Sequence, residues 1–199
     1  MTDEIVTEHL ELYLYQAAKK GKTCCGDSYI TIMKDEYALL ALADGLGSGE
    51  QAKDSSSVVT SIIADYHDED VHSLLKRCNN SLRHKRGAAV AIAKIYYRTQ
   101  EIVYACVGNI RFLTITPSGK LNYPLPKVGY LSGKPQTFLI QRFNYVPNSV
   151  FLMNTDGIRS YSSKDIIRYQ FGIQNMIEEF ESLNTFEDDA TVLVGKFKQ

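Results

Sequence analysis

Asp44, Asp156 and the pair Asp188–Asp189 each stand where an apolar run meets a turn, in the motifs Ala43-Asp44-Gly45, Thr155-Asp156-Gly157 and Glu187-Asp188-Asp189-Ala190. The first two follow the runs 37–43 and 150–154, and the third precedes Thr191-Val192-Leu193-Val194. An ionised carboxylate at the end of a buried strand is costly to desolvate without a partner. If the three strands are neighbours in a sheet, their carboxylates converge on one edge and need a cation between them. Hard divalent ions held by oxygen ligands meet that need. The chemistry this suggests is metal-dependent work on phosphate.

The elements that must carry these acids are mostly strands. Segments 10–15, 29–33 and 110–115 alternate apolar and polar residues. Segment 88–97 opens with small residues and is apolar on both faces, as a central strand is, and 137–143 is a further candidate. Short turns at Thr99-Gln100, Pro117–Gly119, 129–135 and 147–149 predict antiparallel hairpins. Three helical stripes accompany them. Glu50–Ala64 carries Ala52, Val58, Val59, Ile62 and Ile63; Val71, Leu74, Leu75, Cys78 and Leu82 follow, with Asp70 as N-cap; Ile173, Met176, Ile177 and Phe180 come late. Two early helices, strands through the middle and a late helix favour an α+β fold over a βαβ sheet. Two antiparallel sheets packed face to face, with helices on the outer faces, would bury every stripe. The 199 residues are expected to form one domain spanning 1–199.

Duller explanations exist for each motif. Asp-Gly is a favoured hairpin turn, but Asp44-Gly45 runs into Leu46-Gly47-Ser48-Gly49 and then a helix, and Asp156-Gly157 leads into Ile158–Ser163 with no quick return strand. Glycine after the aspartate would let the chain turn sharply and aim its own carbonyl at a metal. Glu50 breaks the dinucleotide glycine pattern, and no Gly-Lys-Ser/Thr closes a phosphate loop. His9, His67, His72 and His84 lack metal spacing, with His67 and His72 expected on a solvated connection. The basic run Arg83–Arg86 is best explained as a solvated helix end favoured by the dipole, ahead of a grip on phosphate. Segment 122–136, rich in Pro and Gly, is the candidate for a mobile loop near substrate.

Composition removes other classes. A net charge of −1, from 22 basic and 23 acidic side chains, implies no general affinity for nucleic acid or anionic membrane. No apolar run approaches the ~20 residues that span a bilayer, and the acidic start Met1–Ile5 lacks a signal pattern. Cys24, Cys25, Cys78 and Cys106 form no Cys-x-x-Cys pair and are expected as reduced thiols. A cytoplasmic protein follows.

Taken in order, Gly26-Asp27, Ala43–Gly49, Gly87–Ala91, Val107–Arg111, Asn154–Gly157 and Asp188–Thr191 resemble the metal-dependent phosphoprotein phosphatases, and more narrowly their compact SpoIIE-type branch. The resemblance covers about residues 10–196. It implies a four-layer α-β-β-α sandwich with a two-metal centre at one end, in which Asp44, Asp156 and Asp188 are the catalytic acids. Asp44 would bridge two Mn²⁺ or Mg²⁺ ions, the Gly45 carbonyl would bind one of them, and Asp156 and Asp188 would complete the shell of the other. Asp27 would hold metal-bound waters from behind, Asp189 is the alternative to Asp188, and Gly47 and Ser48 would lie beside substrate. Hydroxide made available by the metals would attack phosphoserine or phosphothreonine in line. The implied partners are phosphorylated regulatory proteins of a bacterial stress-signalling complex, with the effect of damping an alternative sigma factor; nucleic acid and membrane are not implied, and a monomer is.

Two departures from larger relatives stand out: Leu46 follows Asp44-Gly45 where they have a histidine, and no arginine precedes Arg77. They leave the group that protonates the leaving oxygen unassigned. They also motivate the alternative, a catalytically weak or inactive phosphatase-fold module that binds phosphoproteins.

Overall fold

The computed structural model describes residues 2–158 and 172–198. Along them run β1 (Thr2–Val6), β2 (Leu10–Ala17), β3 (Asp27–Met33), β4 (Tyr37–Gly45), α1 (Glu50–Tyr66), α2 (Val71–Ser81), β5 (Ala88–Tyr96), β6 (Glu101–Val107), β7 (Arg111–Ile115), β8 (Leu121–Asn122), β9 (Gln141–Asn144), β10 (Val150–Asn154), α3 (Ile173–Leu183) and β11 (Ala190–Phe197). Two antiparallel sheets result, one ordered β1-β2-β11-β10-β7-β8 and the other β3-β4-β5-β6-β9. The expected α-β-β-α layering is what the chain adopts.

Alternation explains the layers. In β4, Ala38, Leu40 and Leu42 point into the core between the sheets, while Leu39, Ala41 and Ala43 meet Val59 and Ile63 of α1 and Leu74 and Cys78 of α2. β5 divides in the same way, so a run apolar on both faces is buried on both. On the other sheet, Val192, Val194 and Leu152 pack under Ile173, Met176, Ile177 and Phe180 of α3. Asp70 caps α2, accepting the Ser73 N–H at 3.0 Å. Among the described residues, no helix is long and apolar enough to cross a membrane.

Three expectations need correction. β1 was not expected, because Thr2–Val6 is an exposed edge strand with no apolar face to signal it. The strand sought at 137–143 is only the four-residue edge strand β9, while Phe138 and Ile140 before it pack against the helix-side core. The connection at His67 is not merely solvated. Lys94, 2% exposed at the helix-facing side of β5, donates to the carbonyls of His67, Asp68 and Glu69 at 2.9, 3.1 and 2.9 Å. Its ammonium also lies 4.3 Å from the centre of the Tyr37 ring. A buried lysine thereby ties the α1–α2 connection to the sheet. Lys94→Ala would strip three part-buried carbonyls of their donor and leave a cavity, so it should cost about 3 kcal/mol, read as a lower urea midpoint at unchanged m.

Candidate metal centre

The two-residue period of the strands decides which of their ends meet. Asp44 continues the inward face of Ala38, Leu40 and Leu42 in β4. Asp27 lies on the face of β3 from which Tyr29 and Met33 reach the same core, and it is the register partner of Asp44. From the opposite sheet, the inward residues Phe151 and Met153 of β10 lead to Thr155, and Leu193 and Phe197 of β11 lead back to Thr191. Thr155 and Thr191 donate their hydroxyls to one oxygen of Asp27, Oδ2, at 2.9 and 2.8 Å. The Thr191 N–H in turn donates to Thr155 Oγ1 at 2.9 Å. One carboxylate from the first sheet is thus held by two threonines of the second. Its other oxygen, Asp27 Oδ1, is buried with no hydrogen-bond partner among the described residues.

Beside this tie opens a cavity of about 500 Å³. Its walls are Asp44–Gly47, Ala89, Gly108, Asn109, Val128–Tyr130, Asp156, Asp188 and Asp189. The structure therefore brings Asp44, Asp156 and Asp188 to one cavity, with Gly45, Gly47 and Asp189. Ser48 is not among its walls: Gly47 at φ 104° and Gly49 at φ 70° turn the chain away into α1.

The glycines of the Asp-Gly motifs serve close approach. Neither adopts a positive φ. A Cβ on Gly45 would lie 2.0 Å from the Ala52 carbonyl oxygen of α1, and one on Gly157 would lie 2.0 Å from the Asp189 carbonyl oxygen. These contacts, rather than a sharp turn, fix the spacing between each aspartate and the neighbouring element.

The carboxylates have few positive neighbours. Asp156 Oδ2 accepts from Asn109 Nδ2 at 2.6 Å. Asp188 Oδ1 accepts the Asp189 N–H at 3.0 Å and lies 3.6 Å from Lys19 Nζ. Asp189 is buried and accepts the Lys19 N–H at 2.9 Å, which engages it with backbone while Asp188 stays exposed. Burial, reinforced by Asp27, Asp156, Asp188 and Asp189, pushes the Asp44 carboxyl up to about 8. Asp27 is pushed up to about 6, chiefly by burial and partly by Asp189 and Asp156, against the lowering effect of its two threonine donors. With side chains in these positions, no three acids among the described residues surround a single point. Asp156 gives only Oδ2 to Asn109 and Asp188 only Oδ1 to its backbone partner, so each keeps an oxygen for an ion. The donor set still fits hard cations: all oxygen, mutually repelling, and backed by an unpaired buried oxygen.

No cysteine lines the cavity; all four are free, and burial pushes the thiols of Cys25, Cys78 and Cys106 up to about 12.

Sequence reasoning gave no role to Asn109, Thr155 or Thr191, although Thr155 and Thr191 continue the inward alternation of β10 and β11. Segment 122–136 does line the cavity through Val128–Tyr130, and hydrogen bonds fasten the chain on either side of that wall. Lys127 N–H donates to Cys106 O at 2.9 Å, Gly108 N–H to Lys127 O at 2.9 Å, and Leu131 N–H to Ala88 O at 2.9 Å. Asn79 Oδ1 accepts the N–H groups of Ser132 and Gly133, both at 3.1 Å. Residues 159–163, following the second motif, lie outside the described residues.

Comparison with known proteins shows the same fold and family. Residues 34–198 match the family model described as Stage II sporulation protein E (SpoIIE). The phosphoserine phosphatase RsbX of Bacillus subtilis (strain 168) is 37% identical over 190 residues, covering 95% of this chain and 96% of RsbX. A crystal structure of RsbX in complex with magnesium superposes at a TM-score of 0.95 with 36% identity, covering all of both chains. A chain solved in work on the bacterial stressosome, described as a modular system adapted to control secondary messenger signaling, superposes at 0.86 with 25% identity, covering 95% of this chain and 100% of that one.

Proposed function

The chain belongs to the SpoIIE-type branch of the metal-dependent phosphoprotein phosphatases, and from that premise we propose that it removes phosphate from phosphoserine and phosphothreonine of regulatory proteins in a bacterial stress-signalling complex. By the same reading it damps an alternative sigma factor, works in the cytoplasm and acts as a monomer. The observation that carries the reading is the cavity lined together by Asp44, Asp156 and Asp188, with Asp27 and its unpaired buried oxygen paired in register behind Asp44. RsbX, alike over its whole length, is named a phosphoserine phosphatase and has been crystallised with magnesium.

Asp44 would be shared by two Mn²⁺ or Mg²⁺ ions, the Gly45 carbonyl would bind one, and Asp156 and Asp188 would serve the other. When bound, such cations lower the pKa of water and offset charge on phosphoryl oxygens. The chain's own groups do the positioning. Asn109 holds Asp156 in place, Lys19 limits the repulsion on Asp188, and Asp189 braces the turn through the Lys19 backbone. Thr155 and Thr191 leave Asp27 one unpaired oxygen that can accept from water. Val128–Tyr130 form the wall that a phosphoprotein would meet.

A phosphoserine protein incubated with the chain and Mn²⁺ should release phosphate, fall to background with EDTA, and recover with excess Mn²⁺ or Mg²⁺. Release that ignores the chelator would overturn the metal assignment. Mn²⁺ binding by calorimetry without any release would favour the phosphoprotein-binding alternative.

A further inference from the structure

The basic run before β5 holds a cation that fold and metal centre leave unused. Arg86 directly precedes Gly87, whose carbonyl accepts the Leu46 N–H at 3.0 Å. That contact prolongs the β4–β5 ladder beyond the pairs Asp44↔Ala89 and Gly45↔Ala88. Arg86 therefore sits at a fixed offset from the central aspartate. Its side chain lies over the glycine-rich segment: a Cβ on Gly47, which lines the cavity, would be only 2.6 Å from Arg86 Nη1. The bare α-carbon of Gly47 thus makes room for the guanidinium at the cavity rim.

Three nearby cations are committed elsewhere. Lys85 pairs with Asp54 at 2.7 Å, Arg77 with Glu69 at 2.6 Å, and Lys53 donates to Asp27 O at 2.9 Å and Ser28 Oγ at 3.1 Å. Arg86 is exposed and has no hydrogen bond or ion pair to any described residue. A phosphate dianion approaching a cavity of aspartates is repelled unless positive charge meets it. A guanidinium presents a planar fork that matches two oxygens of a phosphoryl group. Resting on the phosphatase reading above, we propose that Arg86 binds the phosphoryl group of the substrate at the Gly47 rim.

The test uses the full chain loaded with Mn²⁺ and inorganic phosphate as the probe, so binding is read without turnover. Arg86→Ala should weaken phosphate binding by calorimetry about 10- to 100-fold, and Arg86→Lys should recover only part. Mn²⁺ affinity should match the wild type in both, which shows that fold and metal sites are intact. KM for p-nitrophenyl phosphate and for a phosphoserine protein should rise together, with kcat less affected. Wild-type phosphate affinity in Arg86→Ala at unchanged Mn²⁺ affinity would overturn the proposal. So would a higher KM confined to the phosphoprotein, because the residue would then contact an acidic stretch of the partner. An inert wild type whose phosphate affinity still falls in Arg86→Ala would refute the phosphatase reading and leave this assignment standing.

Discussion

Asp44→Asn is expected to lower phosphate release about 10³-fold or more while making the metal-free protein more stable at pH 8. The first effect follows from removing the acid that would serve both ions, a loss of roughly 4 kcal/mol of transition-state stabilisation. The second follows from repulsion. Without cations, Asp44 faces Asp27, Asp156, Asp188 and Asp189 in a partly buried cavity, and its carboxyl is pushed up to about 8. A carboxyl whose pKa is raised by folding holds its proton more tightly in the folded state than in the unfolded one. The stability it contributes is therefore full at low pH and is lost as pH rises from about 4 toward 8. Asparagine does not titrate. In EDTA, wild type and variant should melt together near pH 4 and diverge by pH 8, with the variant higher. Added Mn²⁺ should raise the wild-type melting temperature and leave that of the variant nearly unmoved. Coincident melting curves at every pH, with or without Mn²⁺, would remove Asp44 from the centre.

The second large effect concerns Asp27. Replacing it by alanine leaves the Thr155 and Thr191 hydroxyls without their shared acceptor at a buried junction between the sheets. The cost should be about 2–4 kcal/mol in urea denaturation, after a partial offset from relieving the repulsion with Asp44 and Asp189. Asp27→Asn keeps an oxygen for both threonines, so it should retain most of that stability. It removes the charge, however, and should still lose about 10- to 100-fold in activity, as happens when a partner behind metal ligands is altered. Equal urea midpoints for wild type and Asp27→Ala would mean that the sheets are not joined there.

Much of this was legible in the sequence because alternation and turn chemistry are local. β4, β5, β10 and β11 followed from apolar runs, α1, α2 and α3 from their stripes, and the layering from the need to bury those stripes against two packed sheets. The acids were found because carboxylates at strand ends break the burial rule. What escaped depended on contacts between distant segments. Lys94 looked like one polar residue in an apolar strand until three carbonyls from the α1–α2 connection came to meet it. The glycines after Asp44 and Asp156 suggested turns, whereas their reason lies in Ala52 and Asp189 arriving from elsewhere. Arg86 lay in a charged run whose solvated reading was sound locally, and only the approach of Gly47 separates it from its neighbours. β1 left no trace because an exposed edge strand has no buried face to encode.

The junction of Asp27 with Thr155 and Thr191 bears on assembly as well as catalysis. Each sheet forms its own ladder, and packed rings such as Tyr104 on Phe112 help set their alignment along the strands. The carboxylate with its two hydroxyls supplies that alignment at one end, so a molecule docked one residue out of step forfeits these bonds and separates Asp44 from Asp156 together. Misdocked chains would then be inert rather than partly active, a form of proofreading built into the fold. During refolding, strand content should recover before ion binding, and the interval between them should measure the time the two sheets take to find their alignment.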